Sequence, residues 1–373
     1  MRLMKKRWLS GFLALGFIGM GASGAEPEPA TPAIKMGAFI DAYYAYDFNR
    51  PRADRINLYP AGGAPTLYST QPARHNEFNL NLAYLEARLD AERVRGRFAL
   101  QTGNSVQANY AADSAADQNR AGGAGGISRF VQEAVVGYEI APKFWVDGGI
   151  YLSHIGLESF ISRDNLTYTR SLSADNSPYY QTGLRLSYEI TPKLSAQLHL
   201  INGWQTINEG NPQKALGTQV NYAPDETLVL TYNTFLGSEG GSRIFQDLVA
   251  KLALSSRWQL AASFDYGMQR APGLDSFHDW WAATLIARYQ ATPTLAIVAR
   301  GERYSDPKAA LVAVGAEGFQ AWGGSMGVDV SLTPKLQWRS ELRALRAETA
   351  LFSSSGAEKK SDAFAVSSLS LTI

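Results

Sequence analysis

The 373-residue chain contains no cysteine, only four histidines and almost no net charge, +1 overall. The missing thiols exclude disulfide scaffolds, thiolate zinc sites, iron–sulfur clusters and cysteine nucleophiles. His75, His154, His199 and His278 are scattered with no pair at metal-ligand spacing, so no metal centre and no cofactor is expected from them. Long apolar runs are scarce too. Only one stretch approaches about 15 residues, whereas a bundle of membrane helices needs several of about 20. Yet 45% of the residues are hydrophobic and 18% charged, too apolar and too evenly charged for a disordered chain.

That single stretch lies at the start. Arg2, Lys5, Lys6 and Arg7 precede an apolar run from Trp8 to about Ala22, followed by the small residues Ser23-Gly24-Ala25. The pattern predicts a secretory signal peptide over residues 1–25 and a short periplasmic lead over 26–34. Without residues 1–25 the net charge becomes −3. Nucleic acid and anionic membrane surfaces therefore drop out as electrostatic partners.

Period-two alternation dominates the remainder. In Trp258, Leu260, Ala262, Phe264, Tyr266 and Met268 every second residue is apolar, with Gln259, Ala261, Ser263, Asp265 and Gly267 between them. Leu336, Trp338, Ser340 and Leu342 alternate in the same way with Gln337, Arg339, Glu341 and Arg343. Strands with one apolar and one small or polar face follow. The phrases Glu139-Ile140-Ala141-Pro142-Lys143, Glu189-Ile190-Thr191-Pro192-Lys193 and Ser331-Leu332-Thr333-Pro334-Lys335 are near copies, with looser versions near residues 90–93, 222–225, 254–257 and 290–293. Proline suits a tight turn, so these mark one end of a repeated two-strand unit. The opposite ends are joined by longer Gly-, Ser-, Asn- and Asp-rich segments such as Phe48–His75, Gly103–Ser128, Ile155–Pro178 and Glu348–Lys360.

About sixteen strands result, the first near 35–47 and the last near 361–373, most long enough to cross a bilayer at a tilt. The fold class expected over 35–373 is an all-β transmembrane antiparallel barrel, with short periplasmic turns and long extracellular loops. A sandwich seldom needs so many strands in one meander, a propeller repeats four strands at a fixed period, and a β-helix shows regular glycine-marked rungs. Tyr84, Tyr138, Tyr188, Tyr222, Trp258 and Tyr289 lie close to the short turns and are expected to form an interfacial aromatic girdle.

Two stretches carry a family resemblance. His154-Ile155-Gly156-Leu157-Glu158, Asn165, Thr169-Arg170-Ser171-Leu172, Ser177-Pro178 and Thr182-Gly183 form the more specific one; Gly37, Phe39, Asp41, Tyr43 and Tyr44 form the weaker. With the barrel throughout, these resemble the OmpL-like β-barrel porins of the Gram-negative outer membrane. The resemblance implies passive permeation across that membrane and adds no catalytic residues. It also implies that the third long segment, between strands five and six, folds into the barrel. Glu158, Arg163, Asp164, Asn165, Tyr168 and Arg170 would then line a constriction, faced by Arg95, Arg97 and Arg185. A surface loop exposed to the medium is the alternative.

Alternation points Arg95, Arg97, Glu133, Asp147, Arg185, Asp247, Lys251, Asp265, Arg288, Arg300, Glu302, Asp329, Arg339, Glu341 and Arg343 inward. Charge on the lipid face costs about 2–4 kcal/mol near the midplane, which favours that placement. Fifteen mixed charges are expected to line a hydrated channel, and their balance predicts weak ion selectivity.

Other chemistry is thinly represented. Asp275, Ser276, His278 and Asp279 form the one cluster that resembles a catalytic constellation, in a polar loop where such residues are ordinary. Gly122-Gly123-Ala124-Gly125-Gly126 lacks the lysine and strand-to-helix setting of a phosphate cradle. Asp113, Asp117 and Asn119 offer oxygen ligands for calcium but suit a solvated loop equally. The function expected is an outer-membrane porin for small hydrophilic solutes, not an enzyme, against a barrel lipase or protease or an adhesive or structural barrel. Expected partners are outer-membrane lipid, the solutes and the barrel-assembly machinery that reads the C-terminal strand, with the barrel a monomer or a homotrimer.

Overall fold

The computed structural model describes residues 34–51, 71–110, 127–208, 211–270, 276–314, 317–354 and 357–373. The expected signal peptide, the Gly122–Gly126 run, the Asp113, Asp117, Asn119 group and Asp275 lie outside these residues. Sixteen long strands follow one another: β1 (Ile34–Asp47), β2 (Glu77–Ala91), β3 (Val94–Thr102), β4 (Val131–Ala141), β5 (Phe144–Leu152), β6 (Tyr180–Thr191), β7 (Leu194–Ile201), β8 (Ala215–Tyr222), β9 (Leu228–Ser238), β10 (Ser242–Ala253), β11 (Trp258–Arg270), β12 (Phe277–Gln290), β13 (Leu295–Asp306), β14 (Glu317–Ser331), β15 (Leu336–Ala347) and β16 (Ser361–Thr372). Each pairs antiparallel with its chain neighbours. β1 also pairs with β16, from Phe39↔Thr372 to Asp47↔Phe364, closing the sheet into a barrel without a free edge.

The repeated turn phrase has a local cause. After β6, Thr191 places its Oγ1 3.2 Å from Lys193 N, and after β14 Thr333 Oγ1 accepts from Lys335 N and Leu336 N. In the β8–β9 turn the Asp225 carboxylate accepts from Thr227 Oγ1, Thr227 N and Leu228 N. Those bonds, the Thr227 hydroxyl's above all, hold its carboxyl below the usual carboxylate range.

Outward positions are large and apolar: Leu85, Val136, Leu184, Leu236, Leu248, Phe264, Leu285, Met326 and Leu342 are all exposed. Tyr138, Tyr188, Tyr222 and Trp258 are outward and exposed near the short turns, as the girdle requires. Tyr84 is a correction. Its ring is buried inside the barrel, 5.6 Å from Phe39, because alternation along β2 turns it inward with Glu86.

The interior is graded along its length. Near the long-loop end the inward residues are aromatic, and Trp204, Phe235, Phe245, Trp280, Tyr304, Phe319 and Phe364 pack into one buried cluster. Most of the expected inward charges lie at the middle of the strands or nearer the short turns, whereas Arg243 sits over Trp204 and Trp280 at the aromatic end. Between β3 and β4 a helix, α1 (Asn104–Asn109), enters the lumen, and Tyr110 at its end stacks on Tyr180 at 4.0 Å.

An inward loop and the charged wall it faces

The segment joining β5 to β6 folds into the barrel. Its root is His154, whose Nδ1 lies 2.8 Å from Gln181 Oε1 and whose Nε2 lies 3.0 Å from the Thr234 carbonyl. The imidazole stacks on His199 at 4.0 Å and passes over Gly217, where a Cβ would sit 2.5 Å from its Cε1. Gly156 N then donates to Asp247 Oδ2 at 2.8 Å.

Inside the loop, Glu158, Asn165 and Ser171 bond to one another or to loop neighbours. Glu158 accepts from Ser171 N at 2.9 Å and from the hydroxyls of Ser171 and Thr167. Asn165 brackets Ser159, accepting from its N at 2.6 Å and donating to its carbonyl at 2.8 Å. Ser171 Oγ caps the short helix α2 (Leu172–Asp175) by accepting from Ala174 N. The segment thus satisfies part of its own backbone and side-chain polar groups, as a buried loop must.

The barrel wall completes the hold through buried charges. Arg339 donates Nε to Asp329 at 2.8 Å, Nη1 to the Ser162 carbonyl at 2.8 Å, and Nη2 to the carbonyls of Asn165 and Leu166. Arg300 donates to Thr167 Oγ1 and to both oxygens of Thr169. Glu341 accepts from Thr169 N at 2.8 Å and from its hydroxyl at 2.7 Å, and Glu302 accepts from Leu172 N. Arg343 donates to Glu302 at 2.9 Å. Asp41, placed beside a bulge that turns Asn81 inward, accepts from Asn81 Nδ2 and Ser162 Oγ at 2.7 Å each.

These contacts divide the fifteen inward charges. Arg300, Glu302, Asp329, Arg339, Glu341 and Arg343 are buried against the loop or its neighbours and do not line a wide hydrated channel. Asp247 and Asp265 are buried too, opposite one another on β10 and β11. Arg288 pairs with Asp329, and Lys251 lies within electrostatic reach of Asp164 and Glu158. Most of these charges, expected to line a hydrated channel, are packed against the loop or one another: charge repeated along one face serves to seat a loop as readily as to meet water.

Arg95, Arg97, Glu133, Asp147 and Arg185 instead border a cavity of about 470 Å³ between the loop and the β2–β8 wall. From the loop, Glu158, Arg163 and Asp164 reach this space. Asn165, Tyr168 and Arg170 do not. Tyr168 is buried with its hydroxyl 3.4 Å from Asp41, and the fully buried Arg170 donates to the Phe160 carbonyl and packs on the Tyr179 ring. Polarity in a loop does not say which side chains turn back on it. The wall also contains Arg88, and Glu86 stands behind it, neither picked out beforehand although alternation with Leu85 and Leu89 turns both inward.

On the wall, β3 to β6 align Arg95, Gly137, Asp147 and Arg185 in one row of register partners. Asp147 receives Arg95 through two bonds of 2.6 and 2.5 Å and Arg185 through one of 3.0 Å. Gly137 makes this possible, since a Cβ there would lie 2.2 Å from Asp147 Oδ1. Glu86 accepts from Arg88 at 3.0 Å and Arg97 at 2.7 Å, and Arg97 also pairs with Glu133.

A closed sixteen-strand barrel with apolar outer face, graded interior and inward loop defines a channel of the bacterial outer membrane. The chain belongs to the family described as "Putative beta-barrel porin-2, OmpL-like", whose model matches residues 33–372. No curated protein matches it. Among solved structures it is similar to the outer membrane channel DcaP of Acinetobacter baumannii, with 9% identity, 93% of this chain and 99% of that one covered and a TM-score of 0.61. Pseudomonas putida OprB matches at 11% identity, 91% and 94% coverage and TM-score 0.59. The anion-selective porin from Comamonas acidovorans matches at 10% identity, 92% and 100% coverage and TM-score 0.56. At these identities the structural likenesses speak to fold.

Proposed function

We propose that this porin passes small hydrophilic solutes down their gradients through the space between the inward loop and the β2–β8 wall, with the loop setting its width. The observation that carries this reading is the seating of residues 153–179 on buried charges of the opposite wall, which leaves a charge-lined cavity of about 470 Å³. Pore-lining and constriction roles follow for Arg95, Arg97, Glu133, Asp147, Arg185, Arg163 and Asp164, while Glu158, which borders the cavity, turns its carboxylate into the loop and holds it together. Asp247, Arg300, Glu302, Arg339 and Glu341 act as anchors of the loop, with Asp329 and Arg343 holding Arg339 and Glu302 in place. The reading includes export by a cleaved segment 1–25, insertion by the barrel-assembly machinery into outer-membrane lipid, and a monomer or homotrimer. It assigns no catalysis; His278, the centre of the one catalytic-looking cluster, has its Nδ1 3.1 Å from the Lys308 carbonyl.

Planar-bilayer recording tests it. The purified barrel is expected to give conductance steps of defined size, and deletion of residues 160–172 is expected to enlarge them. An unchanged step size in the folded deletion variant would overturn the constriction role.

A further inference from the structure

The cavity wall presents its charges unequally. Four arginines stand on it, with side-chain exposures of 37% for Arg88, 22% for Arg185, 19% for Arg95 and 16% for Arg97. Their carboxylate partners lie behind them: Glu86 is 10% exposed, Glu133 9% and Asp147 1%. The long guanidinium stems reach past the short acids, so the surface met by a solute is cationic even though the wall's formal charges nearly cancel. Sharing adds to the asymmetry, since Asp147 serves two arginines and Glu86 two more. On the loop, Arg163 and Asp164 are similarly exposed and offset each other, and Glu158 is turned into the loop at 2%. Asp90, exposed at the turn end of the cavity opposite Arg95 in register, offsets part of that charge at that end only.

We infer that this row of guanidinium groups is a binding and selectivity site for small anions, those bearing carboxylate or phosphate groups fitting best. The inference rests on the porin reading and adds the solute class. A planar guanidinium offers paired N–H donors matching the oxygens of such groups, and a narrow low-dielectric wall of one sign raises the local concentration of its counter-ion. The balanced charge count of the sequence predicts weak selectivity; unequal reach across the wall overrides it.

Reversal potentials under a KCl gradient read the sign. The chloride-to-potassium permeability ratio is expected above one, to fall at least about twofold in R88Q/R185Q and to rise in D147N. Arg95 keeps Asp147 paired in the first variant, so the barrel is retained. A ratio at or below one, or no fall in that variant, overturns the anion site while leaving the porin reading intact. A barrel without conductance steps counts against the porin reading instead, and the charge is then tested directly. Trp145 lies against Arg95, 4.3 Å from ring to guanidinium, and its emission is isolated by difference from W145F. Iodide should quench it more than caesium, with the advantage lost in R88Q/R185Q; equal quenching overturns the inference.

Discussion

Arg339 shows how much one buried side chain can hold. Its four bonds tie Asp329 on β14 to three loop carbonyls, and the residue is 2% exposed. Removing one partner of a buried network strands the others, at a cost of about 3–5 kcal/mol. Arg339→Ala should therefore lower stability by that order in equilibrium unfolding and raise single-channel conductance as the loop loosens. Arg339→Lys should recover little, because a compact ammonium cannot reach carbonyls spread across a planar fork. Wild-type stability in Arg339→Ala would refute the anchor. Gly217 makes the complementary case, where absence of a side chain matters. A methyl there meets the His154 ring, so Gly217→Ala should displace the loop root and change conductance although the substitution itself deletes no polar group.

At the scale of elements, the inward loop is bonded to the wall through backbone amides. Gly156, Thr169 and Leu172 each donate to a carboxylate on β10, β15 or β13. Their exchange with solvent should be as slow as that of strand amides and far slower than that of the short turns, as hydrogen-exchange mass spectrometry would report. Rapid exchange across 153–179 would mean the loop is not seated. The strands themselves were legible in the sequence because alternation and turn chemistry are local. The Thr-Pro-Lys phrase sits where β6 turns into β7 and β14 into β15. Which loop residues face the cavity was not legible. Arg163 and Arg170 are equally polar in the sequence, yet one borders open space while the other packs on Phe160 and Tyr179 and reaches Ser105 on α1, contacts that only the folded loop brings together. Tyr84 went astray for a related reason. Nearness to a turn suggested the girdle, while strand parity, the stronger rule, turned it inward.

At the scale of the whole molecule, the barrel departs from the usual arrangement of a soluble core: apolar side chains cover the outer face of a closed sheet, and polar ones share the interior with an aromatic cluster. Parity along a strand thus decides the fate of a new charge, and β6 offers the comparison within four residues. Leu184 faces outward and is 51% exposed, whereas Ser187 borders the cavity. An arginine at 184 must enter hydrocarbon or distort the bilayer, costing about 2–4 kcal/mol near the midplane. At 187 it joins a wall that already carries Arg185 and finds water at its tip. Leu184→Arg should accordingly lose that much stability in urea titrations in phospholipid vesicles. Ser187→Arg should fold nearly as well as the parent and reduce conductance by narrowing the cavity. Equal stability of the two variants would contradict the assignment of faces, because inward–outward parity runs unbroken along β6 from Gly183 to Glu189.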